Sequence, residues 1–426
     1  MNAGSRARAA VGVDPLAFCA EEVARLEASG LGRRVRALGS ASEPEVLLDG
    51  RRVLCLASNN YLGLAAHPEV VEAAAGAARR YGAGSGSARL VTGGLTLHDE
   101  LEARLAAFKG TEAALLFSSG YLANLGTVAA LVGPGDAVFS DELNHASIVD
   151  GCRLSRAQVV VYRHGDVEHL LWSMRRSSGR GSAQGNRLIV TDSVFSMDGD
   201  VAPLEGLMDL ARRHDCRLMV DEAHATGTIG PGGRGSVAAA DLTGEVDILV
   251  GTLGKALGDY GAYVCGREEI VDFLVNSARP FIFSTASPPP VVAAALAALE
   301  LLESHPHRVE RLADNAAVLR NSLAGEGFGV DPDGTHIVPV IVGDAKLTME
   351  LCERVLERGV FAQGIRPPTV PDGSSRLRLA VMATHREAEL RHAAKLIAAC
   401  GRDLGLQLEP PPEARADAWD AWPEAA

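Results

Sequence analysis

The stretch DILVGTLGKALGDYGAYV, residues 247–264, decides the fold. It opens with an apolar run as long as a buried strand, passes through a glycine-rich turn and ends in a second apolar run. A single lysine, Lys255, lies in the turn among glycines and small apolar residues. A lysine that loses its water has a lowered pKa, and its neutral amine is a nucleophile. The stretch therefore predicts a reactive amine at the end of a buried strand.

Similar short apolar runs recur from about residue 66 to 290, with helical stretches between them. Continuous apolar strands that alternate with helices are typical of a mostly parallel sheet covered on both faces. The predicted strands are AALLF (113–117), AVFS (137–140), QVVVY (158–162), RLIVTD (187–192), RLMVDE (217–222), DILVGT (247–252) and GAYVCG (261–266). A long helix at roughly 291–304 and two further strands, IVPVIVG (337–343) and SRLRLAVM (375–382), predict a smaller α+β domain.

The fold class predicted is therefore α/β, with a large and a small domain and two flanking segments. The predicted divisions are an N-terminal arm with its helix (1–58), a large ligand-binding domain (59–300), a small C-terminal domain (301–407) and a disordered tail (408–426). The arm helix is predicted over residues 14–29, with Asp14 as its cap and Pro15 in its first turn.

Composition argues against several classes of function. The 426 residues carry a net charge of −13, and such a surface repels nucleic acid and anionic membranes. No apolar run has the length that spans a bilayer, and the N-terminus lacks a secretory pattern. The seven cysteines are scattered, with no Cys-x-x-Cys pair. We therefore expect reduced thiols, a cytoplasmic protein and no metal site.

Polar side chains follow several predicted strands at the point where each strand ends. Asp221 and His224 follow RLMV, Lys255 follows DILVGT, and His145 follows AVFS. In open α/β sheets, ligands lie beyond the carboxyl ends of the strands. The sequence therefore predicts one crevice lined by these four side chains.

These side chains suit a pyridine aldehyde phosphate. The turn SSGYLAN (118–124) puts a glycine at a helix N-terminus, where free N–H groups favour a phosphate. Asp221 would pair with a protonated ring nitrogen, at about 3 Å a pairing worth on the order of 5 kcal/mol. His224 would contact the phenolic oxygen and His145 would stack on the ring. Lys255 would bond to the aldehyde carbon and later act as a base.

Each of these residues also has an ordinary interpretation. A lone lysine near glycines is usually solvated, and Asp-x-x-His is often a helix cap. GPGGRG (230–235) fits the glycine pattern of a dinucleotide-binding turn, although no strand directly precedes it. Two alternatives therefore stay open on the residues alone: a nicotinamide-dependent oxidoreductase built on glycine-rich loops, and a non-catalytic protein that binds pyridoxal phosphate.

The sequence resembles the α-oxoamine synthases, a family with pyridoxal phosphate and the aspartate-aminotransferase type of fold. The resemblance covers about residues 14–405. The motifs that carry it are SNNYLGL, GSGSARLVTG, LHDELE, SSGYLANLG, LNHASIVDG, VFSMDGDVAPL, VDEAHATGTIGPGGRG, GTLGKALG, FIFSTASPP and RPPTVPDGSSRLRLAVMATH.

The resemblance implies a role for each matching position. Lys255, His145 and Asp221 would be catalytic. The cofactor-binding residues implied are Lys255, Gly120, Tyr121, His145, Ser196, Asp221, His224 and Thr252, with Ser284 and Thr285 reaching the phosphate of the neighbouring subunit of a homodimer. The substrate-binding residues implied are Asn59, Thr369, Arg33 in the arm and an arginine of SRLRLAV. Both Arg376 and Arg378 fall on one face of that strand, so periodicity leaves them open, and the family motif favours Arg378.

The family's reaction joins an amino acid to an acyl thioester with loss of carbon dioxide. The motifs GSARLVTGGLTLHDELE and AQGIRPPTVPDGSSRLRL most resemble the branch that serves biotin synthesis. That branch joins L-alanine to a pimeloyl thioester of coenzyme A or of an acyl carrier protein. The alternative within the family is a branch that uses glycine or serine with another acyl-CoA.

Overall fold

Strands and helices alternate along most of the chain, as the apolar pattern predicts. The computed structural model describes residues 16–33, 35–177 and 185–408. Its helices are α1 (Ala17–Ala28), α2 (Pro68–Tyr81), α3 (Thr96–Lys109), α4 (Gly120–Leu131), α5 (Ala146–Ser155), α6 (Val167–Ser177), α7 (Leu204–Arg213), α8 (Ser236–Ala239), α9 (Glu268–Ser277), α10 (Arg279–Ile282), α11 (Pro289–Ser304), α12 (His307–Gly325), α13 (Ala345–Glu357) and α14 (Glu387–Asp403). Its strands are β1 (Glu45–Leu48), β2 (Arg51–Cys55), β3 (Ala113–Phe117), β4 (Ala137–Asp141), β5 (Gln158–Tyr162), β6 (Arg187–Asp192), β7 (Arg217–Asp221), β8 (Ile248–Thr252), β9 (Ala262–Gly266), β10 (Ile337–Gly343), β11 (Val360–Phe361), β12 (Gln363–Ile365) and β13 (Ser375–Ala380).

The seven strands predicted between residues 113 and 266 form one sheet in the order β3-β9-β8-β7-β6-β4-β5. The strand β9 runs antiparallel to both of its neighbours, while the pairings from β8 to β5 are parallel. Since β3 is antiparallel to β9, it points the same way as the other five. Six strands therefore end at the same edge of the sheet.

Side chains of the central strands alternate between two apolar layers, one on each face of the sheet. Leu218 and Val220 belong to one buried cluster, and Met219 between them belongs to the other. The helix α3 adds Leu101 to the first cluster, and α4 adds Val128 to the second. The period of two along a strand produces this division, and it explains why the strand sequences are apolar throughout.

The C-terminal part contains a second sheet, in which β13 pairs antiparallel with both β10 and β12. A third sheet, β1-β2-β11, joins a hairpin from the N-terminal part to this region through a parallel pairing of β11 with β2. The sequence does not predict this hairpin, because its strands are short and β2 begins with two exposed arginines. The predicted domain boundaries stay a prediction.

Two further local features lie in the arm and in the stretch that contains the motif GSGSARLVTG. The arm helix begins at Ala17, after Leu16, whose side chain makes no capping hydrogen bond. Asp14 and Pro15, predicted at its start, lie outside the described residues, as does most of the tail predicted at 408–426. Part of the glycine-rich stretch 82–94 is helical, since residues Arg89–Gly93 form a π-helical turn.

An ion pair lies in the core beside the end of β7. Lys109 at the end of α3 contacts the carboxylate of Glu222, and their side chains are only 1% and 0% exposed. The same carboxylate accepts the backbone N–H of Val237 at 2.8 Å, and the ammonium group also donates to Thr226 Oγ1 at 3.2 Å. These contacts fix the residue that directly follows Asp221.

We expect Lys109→Met to lower the free energy of unfolding by about 3–5 kcal/mol, because it leaves the Glu222 carboxylate buried without a cation. Urea-induced unfolding measures the loss. The matched control is Lys395→Met on the exposed side of α14, which should change the stability by less than about 0.5 kcal/mol. Equal losses in the two variants would contradict a role for the buried pair.

Candidate active site

The polar side chains predicted at the strand ends meet at the common edge of the large sheet. Asp221 ends β7, His224 lies in the turn after it, Lys255 follows β8, and His145 follows β4. Two sets of hydrogen bonds hold them: one joins Lys255 to His224 and Tyr61, and the other joins Asp221 to His145 through Asn124 and Ser147. The parallel arrangement of the strands therefore brings together residues up to 110 positions apart in the sequence.

Lys255 is half-buried, and its Nζ lies 2.8 Å from Nε2 of His224. Loss of water lowers the pKa of Lys255 to about 8, although the carboxylates of Asp221 and Asp192 oppose this shift. Burial, together with the nearby Lys255 ammonium, holds the pKa of His224 well below its usual value. A neutral imidazole therefore faces an amine that is readily deprotonated.

Tyr61 is fully buried and holds the other side of His224. Its hydroxyl lies 2.7 Å from Nδ1 of His224 and donates to Oδ1 of Asn59 at 3.0 Å. The guanidinium of Arg378 also donates to this hydroxyl, at 3.4 Å. All these contacts are satisfied when His224 carries its proton on Nδ1, so that Nε2 accepts from Lys255.

Asp221 is 4% exposed, and each of its carboxylate oxygens has a donor. Asn124 Nδ2 donates to Oδ2 at 2.6 Å, and the backbone N–H of Ala223 donates to Oδ1 at 2.8 Å. Asp192 on β6 is its partner in the sheet register. Burial, together with the Asp221 charge, raises the pKa of Asp192 well above its usual value. Asp192 therefore holds a proton more readily than an ordinary aspartate does.

His145 caps the N-terminus of α5 and is exposed on the crevice side. Its Nδ1 lies 2.7 Å from Oγ of Ser147, which in turn accepts from Asn124 at 3.0 Å. Its backbone N–H donates to Asp192 at 2.7 Å. The orientation of the ring is thus fixed by residues of α4, α5 and β6.

The turn after β3 presents the N-terminus of α4. Ser119 caps this helix by accepting the backbone N–H of Leu122 at 3.3 Å. Gly120 is its first residue, and a Cβ built there would meet nothing within 4 Å. The side chain of Tyr121, 42% exposed, donates its hydroxyl to Asp150. Open space therefore lies beside free N–H groups, as an anion site requires.

The remaining residues of the predicted cofactor set lie around this turn and the 193–203 loop. The hydroxyl of Thr252 bonds within its own turn, donating to the carbonyl of Gly261 at 3.0 Å. Ser196 is half-buried in the loop that joins β6 to α7. Ser284 and Thr285 lie after α10, where the carbonyl of Thr285 accepts from Ser118 of the same chain at 3.5 Å. A role of these two residues toward a neighbouring subunit stays a prediction.

The two candidate arginines differ in their partners. Arg376 pairs with the carboxylate of Asp198 and also donates to the carbonyl of Ser374 at 2.9 Å. Arg378 donates to Oδ1 of Asn59 at 3.2 Å and to the carbonyl of Ser196, and it has no carboxylate partner among the residues that the structure describes. Arg378 is thus a buried cation with only neutral acceptors.

Arg33 and Thr369 line a cavity of about 680 Å³ between the arm and the strand β12. Arg366, 8% exposed, also lines it, and its Nε has no hydrogen-bond partner. Burial, together with the nearby Arg33 charge, lowers the pKa of Arg366. Gln363 on the cavity wall is the register partner of Arg378, so the cavity lies one strand away from that guanidinium.

Comparison with known proteins identifies the family of the chain. The family model for aminotransferase class I and II matches residues 51–397. The chain belongs to this family. The protein named 8-amino-7-oxononanoate synthase in Geobacter metallireducens is 53% identical over 389 residues, which are 91% of this chain and 98% of that protein. A protein of the same name in Anaeromyxobacter sp. (strain K) is 52% identical, over 92% of this chain and 96% of that protein.

Solved structures give the same result. A serine palmitoyltransferase from S. paucimobilis with bound PLP-myriocin aldimine matches with a TM-score of 0.86 and 32% identity, covering 93% of this chain and 100% of that chain. An 8-amino-7-oxononanoate synthase from Francisella tularensis matches with a TM-score of 0.70 and 28% identity, over 82% of this chain and 98% of that chain. These matches confirm the predicted fold class and the resemblance to pyridoxal-phosphate enzymes.

Sequence reasoning did not assign roles to several residues that complete the site. Asn124, Ser147, Asp192 and Tyr61 all hold a predicted residue in place. Asp192 ends a predicted strand, and this position is the one feature of the sequence that could have indicated its place in the site. Asn124 and Ser147 lie inside helices, where nothing local distinguishes them from residues of the core. Within the described residues, no helix is long and apolar enough to cross a bilayer, and no His, Cys, Asp and Glu cluster suits a metal ion.

In the cofactor-free protein, we expect an amine-directed reagent to modify Lys255 with a pH midpoint near 8, because burial lowers its pKa. Only the neutral amine reacts, so the rate rises through pH 8 and levels off above it. Mass spectrometry of the labelled peptides measures this. The exposed Lys346, labelled in the same sample, is the matched control for the overall reaction. A midpoint for Lys255 near the ordinary lysine value of about 10.4 would contradict the assigned environment.

Proposed function

We propose that this protein is a pyridoxal 5'-phosphate-dependent acyltransferase that condenses L-alanine with a pimeloyl thioester. The products are 8-amino-7-oxononanoate, carbon dioxide and the free thiol of coenzyme A or of an acyl carrier protein. The observation that carries the proposal is the identity of 53% over 91% of the chain with a protein of that name.

The crevice fits pyridoxal phosphate at each of its functional groups. The N-terminus of α4 offers N–H groups and open space at Gly120 for the phosphate. Asp221 offers a carboxylate that Asn124 and Ala223 hold rigidly, which suits a protonated ring nitrogen. Lys255 offers an amine with a pKa of about 8. When bound, the cofactor supplies an electron sink for the electron pair left at the substrate carbon.

The chain's own groups divide the proton transfers between them. Lys255, as a free amine, would be the group placed to remove the Cα proton and to return one after the loss of carbon dioxide. Its pKa near 8 suits both steps at neutral pH. Neutral His224 keeps this amine aligned through the contact at 2.8 Å, because His224 is itself held by Tyr61.

Arg378 is the residue we assign to the carboxylate of L-alanine. It is buried, and its present partners are the neutral oxygens of Asn59, Tyr61 and Ser196. A guanidinium without a counter-ion gains most from a carboxylate, because the pair can form two parallel hydrogen bonds. Arg376 already has Asp198, so its part is to hold the 193–203 loop.

The cavity beside β12 favours an acyl chain that ends in a carboxylate. Its wall includes Arg33 and the buried Arg366, whose Nε has no partner. Arg36 also lies there but pairs with Glu353. The other nitrogens of Arg366 donate to the carbonyl of Gly32 and to the sulfur of Met349, so this buried guanidinium has only neutral partners. Such a group is costly next to a purely aliphatic chain and is stabilised by an anion. The guanidinium groups therefore favour a pimeloyl donor, whose chain ends in a carboxylate. They disfavour the purely aliphatic palmitoyl donor that the name of the structural neighbour indicates.

The proposal includes a homodimer with shared active sites. Ser284 and Thr285 are partly exposed beside the glycine-rich turn at Ala88, so a second subunit can reach them. The exposed Val159 and Val161 on the edge strand β5 add uncovered apolar area to the same large domain. All seven cysteines are free, which agrees with a cytoplasmic location.

We expect thiol release only when the holoenzyme receives L-alanine together with a pimeloyl thioester. The measurement crosses L-alanine, glycine and L-serine with pimeloyl-, heptanoyl-, acetyl-, succinyl- and palmitoyl-CoA. Heptanoyl-CoA has the same seven acyl carbons without the terminal carboxylate, so its kcat/KM should be lower by about tenfold or more. Lys255→Ala is the inactive control. Release with glycine or L-serine and another thioester would move the protein to a different branch of the family.

We expect Arg378→Lys to raise the KM for L-alanine by about tenfold or more, since lysine cannot form the paired hydrogen bonds of a guanidinium. The KM for pimeloyl-CoA should stay within about twofold, because the acyl cavity is unchanged. Steady-state kinetics at fixed cosubstrate separates the two constants. Arg391→Lys on the exposed side of α14 is the matched control. An unchanged KM for L-alanine would exclude Arg378 as the carboxylate ligand.

A further inference from the structure

His164, directly after the edge strand β5, lies between two carboxylates. Its Nδ1 is 3.0 Å from Oδ1 of Asp141, and its Nε2 is 2.8 Å from Oδ2 of Asp200. A neutral imidazole has one N–H group and one lone pair, so one nitrogen would then face a carboxylate without a proton between them. Only the imidazolium donates to both partners. The geometry therefore favours a charged His164.

The groups around His164 are nearly all acidic. Asp141 is 2% exposed and also accepts the backbone N–H groups of Leu143 and Gly165, both at 2.9 Å. Glu142 accepts the backbone N–H of His164 at 2.8 Å. The buried hydroxyl of Tyr162 and the neighbouring Arg163 are the other titratable groups nearby, and Arg163 pairs with Asp166 at 2.7 Å instead. The ring of Phe195 contacts His164 edge-on, with centroids 4.3 Å apart.

Asp200 belongs to the 193–203 loop, which connects this cation to the arginines of β13. In the same loop, Asp198 pairs with Arg376, and the carbonyl of Ser196 accepts from Arg378. The loop is tightly folded, because the backbone of Phe195 bonds to that of Asp200 at 3.0 Å and to that of Gly199 at 2.8 Å. A displacement of Asp200 would therefore also shift Ser196, because these backbone bonds tie the two ends of this part of the loop together.

We propose that His164 is a positioning residue for the amino-acid substrate: held as an imidazolium between Asp141 and Asp200, it fixes the 193–203 loop and, through the Ser196 carbonyl, the orientation of Arg378. This inference rests on the proposed function, in which Arg378 binds the carboxylate of L-alanine. His164 itself touches neither substrate nor cofactor. Its removal therefore affects the binding of L-alanine more than that of the acyl donor.

The dependence on pH follows from the two carboxylates. Hydrogen bonds to Asp141 and Asp200 raise the pKa of His164 to about 10, from an ordinary value of about 6.5. Because the folded-state pKa is the higher one, the stabilisation of the loop is fully present below about pH 6.5 and is lost as the pH rises through 10. The contact is thus intact at neutral pH and weakens only in alkaline solution.

The test compares the holoenzyme with His164→Gln, which has the size to fill the site but no charge. We expect the KM for L-alanine to rise by about tenfold, with the KM for pimeloyl-CoA and kcat within about twofold. His164→Lys restores the charge and should recover most of the affinity. Asp200→Asn, a milder change at a 39% exposed carboxylate, should raise the same KM by a smaller factor. Arg163→Gln is the matched control and should behave as the wild type.

The pH profile gives a readout that a purely structural role does not move. The ratio of the KM values for His164→Gln and the wild type should shrink as the pH rises from 8 toward 10, because the wild type then loses the proton that glutamine never had. Equal rises in both KM values, loss of bound cofactor, or a His164→Lys variant as impaired as His164→Gln would each overturn the proposal. So would an unchanged KM for L-alanine.

Hydrogen–deuterium exchange of the 193–203 peptides tests the same contact without turnover. Faster exchange is expected in His164→Gln and Asp200→Asn but not in Arg163→Gln, and equal exchange in all four proteins overturns the proposal. If His164→Gln does not fold, Asp200→Asn and the wild-type exchange rates between pH 8 and 10 decide the question. A wild type that exchanges as expected but releases no thiol from any substrate pair would instead count against the proposed function.

Discussion

The desolvation of one amine is the constraint on which the rest of the site depends. Lys255 has a pKa near 8 because it has lost water, yet Asp221 and Asp192 keep that loss from becoming prohibitive. Those two acids can lie side by side because one of them, Asp192, has its pKa raised and can carry a proton. Asn124 and the backbone of Ala223 hold the other, Asp221. The reactive amine, the acids and their supports therefore form one electrostatic unit.

Much of this arrangement follows from the sequence by a simple rule. Apolar runs of strand length predicted all seven strands of the large sheet, and the residues after them predicted that Asp221, His224 and Lys255 would meet. The rule uses only local pattern and the shared direction of parallel strands. It does not extend to Asn124 and Ser147, because a side chain that supports another across the sheet has no local signature. The β1–β2 hairpin was missed because its strands are short and β2 begins with two exposed arginines.

The two arginines of β13 show the same limit more sharply. Alternation along a strand puts Arg376 and Arg378 on one face, so the sequence pattern leaves them equivalent. They differ in charge pairing because Asp198, distant in sequence, reaches Arg376 and not Arg378. The proposed assignment of Arg378 to the substrate therefore depends on the loop between β6 and α7. The same loop contacts His164, which follows the edge strand of the sheet, through Asp200.

Asp221 and Glu222 are consecutive acids with opposite surroundings. The first contacts Asn124 of α4 on one face of the sheet, and the second contacts Lys109 of α3 on the other. Because successive side chains of a strand point to opposite faces, a shift of β7 by a single position would turn each of these two side chains to the other face of the sheet. The ammonium group of Lys109 would then lose the Glu222 carboxylate, and the crevice would lose the Asp221 carboxylate. The two adjacent acids therefore fix the register of β7, because only one alignment of the strand gives both a stable core and a functional site.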